Sequence, residues 1–83
     1  MAKNTNNGQK AHYFSIAMTY AKCEDMYRQH IKFIIVTSSE GKRIQLPKAN
    51  LQKFITPLGL NGNFRLLVDQ NNKIVNIEQV ATY

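Results

Sequence analysis

Apolar residues recur along this chain with two different periods, and the change from one to the other marks its elements. From His12 to Met18 the sequence alternates, with Phe14, Ile16 and Met18 on one side and Tyr13, Ser15 and Ala17 on the other. A period of two predicts a half-buried strand. After Thr19 the spacing lengthens, and Cys23, Met26, Tyr27 and His30 form the stripe of a short helix. Thr19 suits the N-cap, where a hydroxyl accepts a free amide of the first turn. Glu24 and Asp25 are expected toward the positive end of that helix, and Arg28 and His30 toward its negative end.

Residues Ile31 to Thr37 are mostly β-branched and aromatic and predict a second strand. Ser38 to Gly41 then turn the chain, with Gly41 in the left-handed conformation that a bulged three-residue hairpin loop requires. Lys42 to Leu46 form the returning arm. Pairing Thr37 with Lys42 sets Ile35 opposite Ile44 and Phe33 opposite Leu46 as core pairs. Lys32, Ile34, Arg43 and Gln45 then line the other face, with Val36 beside them. Pro47 suits the first turn of a short helix carrying Leu51, Phe54 and Ile55, which Pro57 ends. Gly59 and Gly62 bracket a turn. A strand follows over Asn63 to Val68, with Phe64, Leu66 and Val68 on one face. Asp69 to Asn72 turn the chain again, and Lys73 to Val80 form the last strand, with Val75 and Ile77 inward.

The element order β-α-β-β-α-β-β predicts an α+β domain. Its two hairpins favour a curved antiparallel sheet of about five strands with one main helix packed on it. A small SH3-like or OB-like barrel is the alternative. Residues 1–10 are polar, with no aliphatic side chain after Ala2, and predict a disordered tail ahead of a single domain over 11–83.

Composition narrows the functional classes. The 83 residues are 43% apolar and 19% charged, with a formal net charge of +6. That excludes a multidomain enzyme and a disulfide scaffold, and no apolar run reaches the ~20 residues of a membrane-spanning helix. The single Cys23 and the polar first ten residues, which have no apolar core of a signal peptide, point to the cytoplasm. The positive charge is concentrated between residues 28 and 68, where Arg28, Lys32, Lys42, Arg43, Lys48, Lys53 and Arg65 face Glu40 alone.

The ordered motifs Glu40-Gly41-Lys42-Arg43-Ile44-Gln45-Leu46-Pro47, Leu51-Gln52-Lys53-Phe54-Ile55-Thr56 and Gly59-Leu60-Asn61-Gly62-Asn63-Phe64-Arg65-Leu66, followed by Asn72-Lys73 and preceded by Tyr13-Phe14-Ser15-Ile16 and Tyr27, carry a resemblance. Together they resemble a family of small bacterial proteins known as domain of unknown function 2835, over about residues 12–79. Glu40 stands where that family has Asp, Lys53 near a position it fills with Arg or Pro, and Gln29 where it has Gly. The resemblance implies a fold and a bacterial source, and it implies no catalytic residues.

Chemistry-bearing patterns are sparse. Cys23 has no histidine at one-turn spacing to form a thiolate pair. Cys23, His12 and His30 show no metal-ligand spacing. Gly59 and Gly62 lack the Lys-Ser/Thr signature of a phosphate loop and read as turn formers. The expectation is a non-enzymatic protein with no cofactor. The candidate anion-binding face is Lys32, Lys42, Arg43, Lys48 and Lys53, where spaced cations could hold phosphates. The same charge on a solvated surface that only keeps the protein soluble is the bland alternative. The candidate interface is Ile34 and Val36. A protein-interaction or assembly module, through a partner or self-association, is the leading expectation. Binding of RNA or single-stranded DNA is the second, and it would need exposed aromatic rings for stacking.

Overall fold

A computed structural model describes residues 9–81. The expected tail over 1–10 lies almost entirely outside these residues. Strand β1 (Lys10–Met18) is followed by α1 (Tyr20–Arg28), β2 (Phe33–Thr37) and β3 (Arg43–Pro47). Two 3-10 turns (Lys48–Asn50 and Gln52–Phe54) lead to β4 (Leu60–Val68) and β5 (Ile74–Val80). The element order is the one expected, with 3-10 turns in place of a second α-helix. Pro47 closes β3 and caps the first of these turns.

All five strands pair antiparallel. One sheet has the order β1-β4-β5, and β2 pairs with β3 in a second. The two are stitched at one place: Phe14 bridges Ser38, and the Ser39 amide donates to the Tyr13 carbonyl at 2.7 Å. His12 Nδ1 also meets Glu40 Oε1 at 3.2 Å, tying the hairpin loop to β1. The result is one curved run of strands in which β3 and β5 are the outer edges, and it does not close into a barrel among the described residues.

The alternation read in β1 and β4 is the alternation observed. Phe14, Phe64, Leu66 and Val68 are buried, and Ile16 and Met18 pack against them. The Phe14 and Phe64 rings stack with centroids 5.5 Å apart, and Phe54 meets Phe64 edge-on at 5.0 Å. Such aromatic contacts add to the area they bury. Thr19 caps α1, its hydroxyl accepting from the Lys22 amide at 3.2 Å. The first turn of α1 holds no acidic residue, and Asp25 instead pairs with Arg28 one turn on. Cys23 and Met26 carry α1 into the common core, but Tyr27 of the expected stripe is 70% exposed.

Two expected facings are corrected. In the β2–β3 hairpin the register pairs Val36 with Ile44 and Ile34 with Leu46, one residue away from the pairing of Thr37 with Lys42. Ser38 closes the loop. Its amide donates to the Lys42 carbonyl at 2.8 Å, and its buried hydroxyl accepts from the Glu40 and Lys42 amides. Because side chains alternate along a strand, a slip of one residue exchanges the two faces. Ile34 and Val36, expected at an interface, are therefore core residues, and Phe33 and Ile35 are outside at 53% and 56% exposure. In β5, Leu67 pairs with Asn76 but Val68 pairs with Ile74. Val75 is the extra residue of a bulge, turned outward, and Ile74 packs inward in its place beside buried Ile77.

Candidate functional site

The five candidate cations do not share one face. The closing bond at Ser38–Lys42 and the bond from the Lys48 amide to the Lys32 carbonyl, at 2.8 Å, fix which hairpin residues stand side by side. Lys32 and Lys48 stand one step past the last strand pair at the base of the hairpin, where both line a groove. Arg43 stands on the outer face beside Ile35 and Gln45. Lys32 and Arg43, expected together, are thus apart. Lys42 sits in the loop, and the loop end and the base are about 17 Å apart along a five-residue strand. Lys53 is on the second 3-10 turn, its Nζ 5.2 Å from the centre of the Phe54 ring, and it borders a different groove with Ile74 and Val75.

Two surfaces result. The first is the outer face of the β2–β3 hairpin, where Phe33 and Ile35 form an apolar strip. Arg43 and Gln45 stand on the neighbouring strand. The second is a groove of about 310 Å³ between the end of α1, the start of β2 and the first 3-10 turn. Tyr27, His30, Lys32 and Lys48 line it, and Lys48 Nζ lies 5.4 Å from the centre of the Tyr27 ring. The sequence pointed to both lysines but not to Tyr27 or His30 as their neighbours. The signal for that grouping was the hairpin register, since only the observed pairing sets Lys32 opposite Lys48.

The exposed face of the three-stranded sheet is polar, and its side chains bond to one another, save the buried Arg65 Nε, which has no hydrogen-bond partner among the described residues. Tyr13, Arg65 and Glu78 stand in line across β1, β4 and β5. Arg65 donates to the Glu78 carboxylate. The hydrogen bond with Tyr13 and then the charge of Glu78 raise the Arg65 guanidinium above its ordinary value. Ser15 donates to Asn63 at 2.6 Å, and Asn63 donates to the Ala81 carbonyl. Cys23 is buried in the core. His12 is held at Glu40, and no group of three His, Cys, Asp or Glu side chains is placed to hold a metal among the described residues. No helix among them is long and apolar enough to cross a membrane.

The fold and its surfaces define a small α+β protein built on antiparallel strands, with an apolar hairpin face and a basic groove. The chain belongs to a family described as a protein of unknown function (DUF2835), whose sequence model matches residues 10–80. No curated protein and no solved structure matches the chain.

Proposed function

We propose that this protein is a non-enzymatic interaction module that docks a partner protein on the outer face of its β2–β3 hairpin. The observation that carries this reading is the exposure of Phe33 and Ile35 on one face, with Arg43 diagonal to Ile35 across the strand pair. Aromatic, aliphatic and arginine side chains are the usual centre of protein interfaces, with lysines left to the rim. The only acid on the hairpin, Glu40, lies in the loop beside His12, and the strand face itself carries Arg43 and no acid. Its partner is therefore an apolar segment flanked by Asp or Glu. The net charge of +6 opposes pairing of this face with a second copy of itself.

Selection from a random-peptide display library against the folded protein tests this. The expected binders alternate apolar and acidic residues, and they are lost on the double variant Phe33→Ser/Ile35→Glu, which leaves the core intact. Selected peptides without acidic residues, or binding unchanged in the variant, would overturn it.

A second reading is binding of single-stranded RNA or DNA. It is favoured by one observation: Phe33 and Tyr27 are exposed rings close in sequence to Lys32. Bases stack on such rings while cations hold the phosphates. Titration with short mixed oligonucleotides at ~150 mM salt, where the screening length is ~8 Å, separates the two readings. Saturable amide shifts at Phe33, Tyr27 and Lys32 would support nucleic acid.

A further inference from the structure

We infer that the groove at the base of the hairpin is a binding site for small phosphomonoesters of about mononucleotide size, separate from the hairpin face. Four features of the groove support this. Lys32 and Lys48 are held opposite each other by the bond between the Lys48 amide and the Lys32 carbonyl. They stand one step past the last strand pair, Phe33 and Pro47, and both line the groove. Two ammonium groups anchored on paired residues can share the oxygens of one phosphate.

No carboxylate lines the groove. The ion pairs among the described residues are His12–Glu40, Arg28–Asp25 and Arg65–Glu78, so neither lysine is neutralised by an acid. The Met26 and Tyr27 carbonyls are already taken by the Ile31 and His30 amides at 3.0 and 3.1 Å. Those same bonds place His30, at φ 57°, on the groove wall as a third nitrogen group.

The rest of the lining fixes the size and kind of ligand. Tyr27 is 70% exposed, and with Ile31 it gives the groove an apolar side on which the body of the ligand would rest. Gln52 adds an amide able to donate or accept. A volume of about 310 Å³ lies at the lower limit of small-molecule sites, which start at ~300 Å³. Lys53 and the pair Lys42 and Arg43 lie outside this groove, and they serve as internal controls.

Amide-resolved NMR titration with inorganic phosphate and with adenosine monophosphate at ~150 mM sodium chloride tests the site. The expected result is saturable shifts at His30, Lys32, Lys48 and Gln52, with the nucleotide binding at least about tenfold tighter than phosphate because its body adds contact. The double variant Lys32→Ala/Lys48→Ala should bind the nucleotide about tenfold or more weakly, while Lys42→Ala/Arg43→Ala keeps its affinity. Both lysines lie at the surface or half-buried, and an unchanged spectrum outside the groove verifies the fold. Shifts spread over all lysines without saturation, equal binding of phosphate and nucleotide, or unchanged affinity in the Lys32/Lys48 variant would each overturn the site. Hairpin-face binding of peptides is read separately and does not depend on any of these results.

Discussion

His30 holds φ at 57° where the chain leaves α1. The Ile31 amide reaches back to Met26 and the His30 amide to Tyr27, which is the bonding of a helix stop that glycine usually fills. A side chain in this left-handed region costs roughly 1–2 kcal/mol. His30→Gly should therefore raise stability by about 1 kcal/mol in urea denaturation, less the added freedom of the unfolded chain. If His30 belongs to the phosphate groove, the gain comes with weaker nucleotide binding. Gly41 and Gly59 make a second comparison. Gly41 has φ 84° and open space around it, so Gly41→Ala should cost only about 1 kcal/mol from the backbone angle. Gly59 has φ 110°, and a methyl group there would overlap the Met18 carbonyl oxygen and crowd the Thr19 and Tyr20 backbone at 2.8 Å. Backbone cannot step aside as a flexible side chain can. Gly59→Ala should lose at least about 3 kcal/mol, and equal losses at the two glycines would contradict this packing.

At the scale of elements, the hairpin register makes a direct prediction. Ile34→Ala should destabilise by about 2–4 kcal/mol, as a truncation in the core. Ile35→Ala should stay within about 1 kcal/mol of the parent. Thermal or urea unfolding of the pair gives the opposite order if Thr37 faces Lys42. The contrast with β1 and β4 explains how much of this fold could be read from the chain. In those strands large apolar residues occupy one parity and, Leu67 apart, polar or small residues the other, so the pattern itself says which side is inward. The segment Phe33-Ile34-Ile35-Val36 is apolar on both parities, and there the pattern is silent. What decides the facing is Ser38, whose hydroxyl gathers the Glu40 and Lys42 amides and whose neighbour is bound to β1. Neither is a matter of hydropathy. The loop after β4 is built alike: the Asp69 carboxylate accepts from the Asn71 and Lys73 amides, and Asn72 takes φ 62° where Gly41 stands in the first loop. A turn was legible at both places, but the residue that closes it was not. The same slip hid the groove, because Lys32 meets Lys48 only in the observed register. The bulge at Val75 was equally out of reach, since an extra residue leaves no trace in a short alternating run.

At the scale of the whole molecule, β4 is the only strand paired on both sides within the larger sheet, with β1 and β5 as its neighbours. Its inward residues Phe64 and Leu66 are 0% and 1% exposed. Hydrogen exchange should be slowest at the β4 amides, and at least about tenfold faster in α1, which rests on the core through Cys23 and Met26 alone among its buried residues. Uniform protection across both elements would argue against this distribution of stability. The order of strands also has a consequence for how the chain assembles. Each hairpin joins neighbours in sequence and closes a short loop, a matter of microseconds. Strand β1 is different, since Met18 pairs with Leu60 and Lys10 with Val68. Of the described strands β1 is made before its sheet partner β4, which follows about two to ten seconds later at ordinary translation rates, and until then only the contact at Ser38 and Ser39 can hold it. Through that interval the Phe14, Ile16 and Met18 side of β1 lacks its β4 neighbours Phe64 and Leu60. The slow, long-range step in the folding of the described residues is the homecoming of β1 to β4.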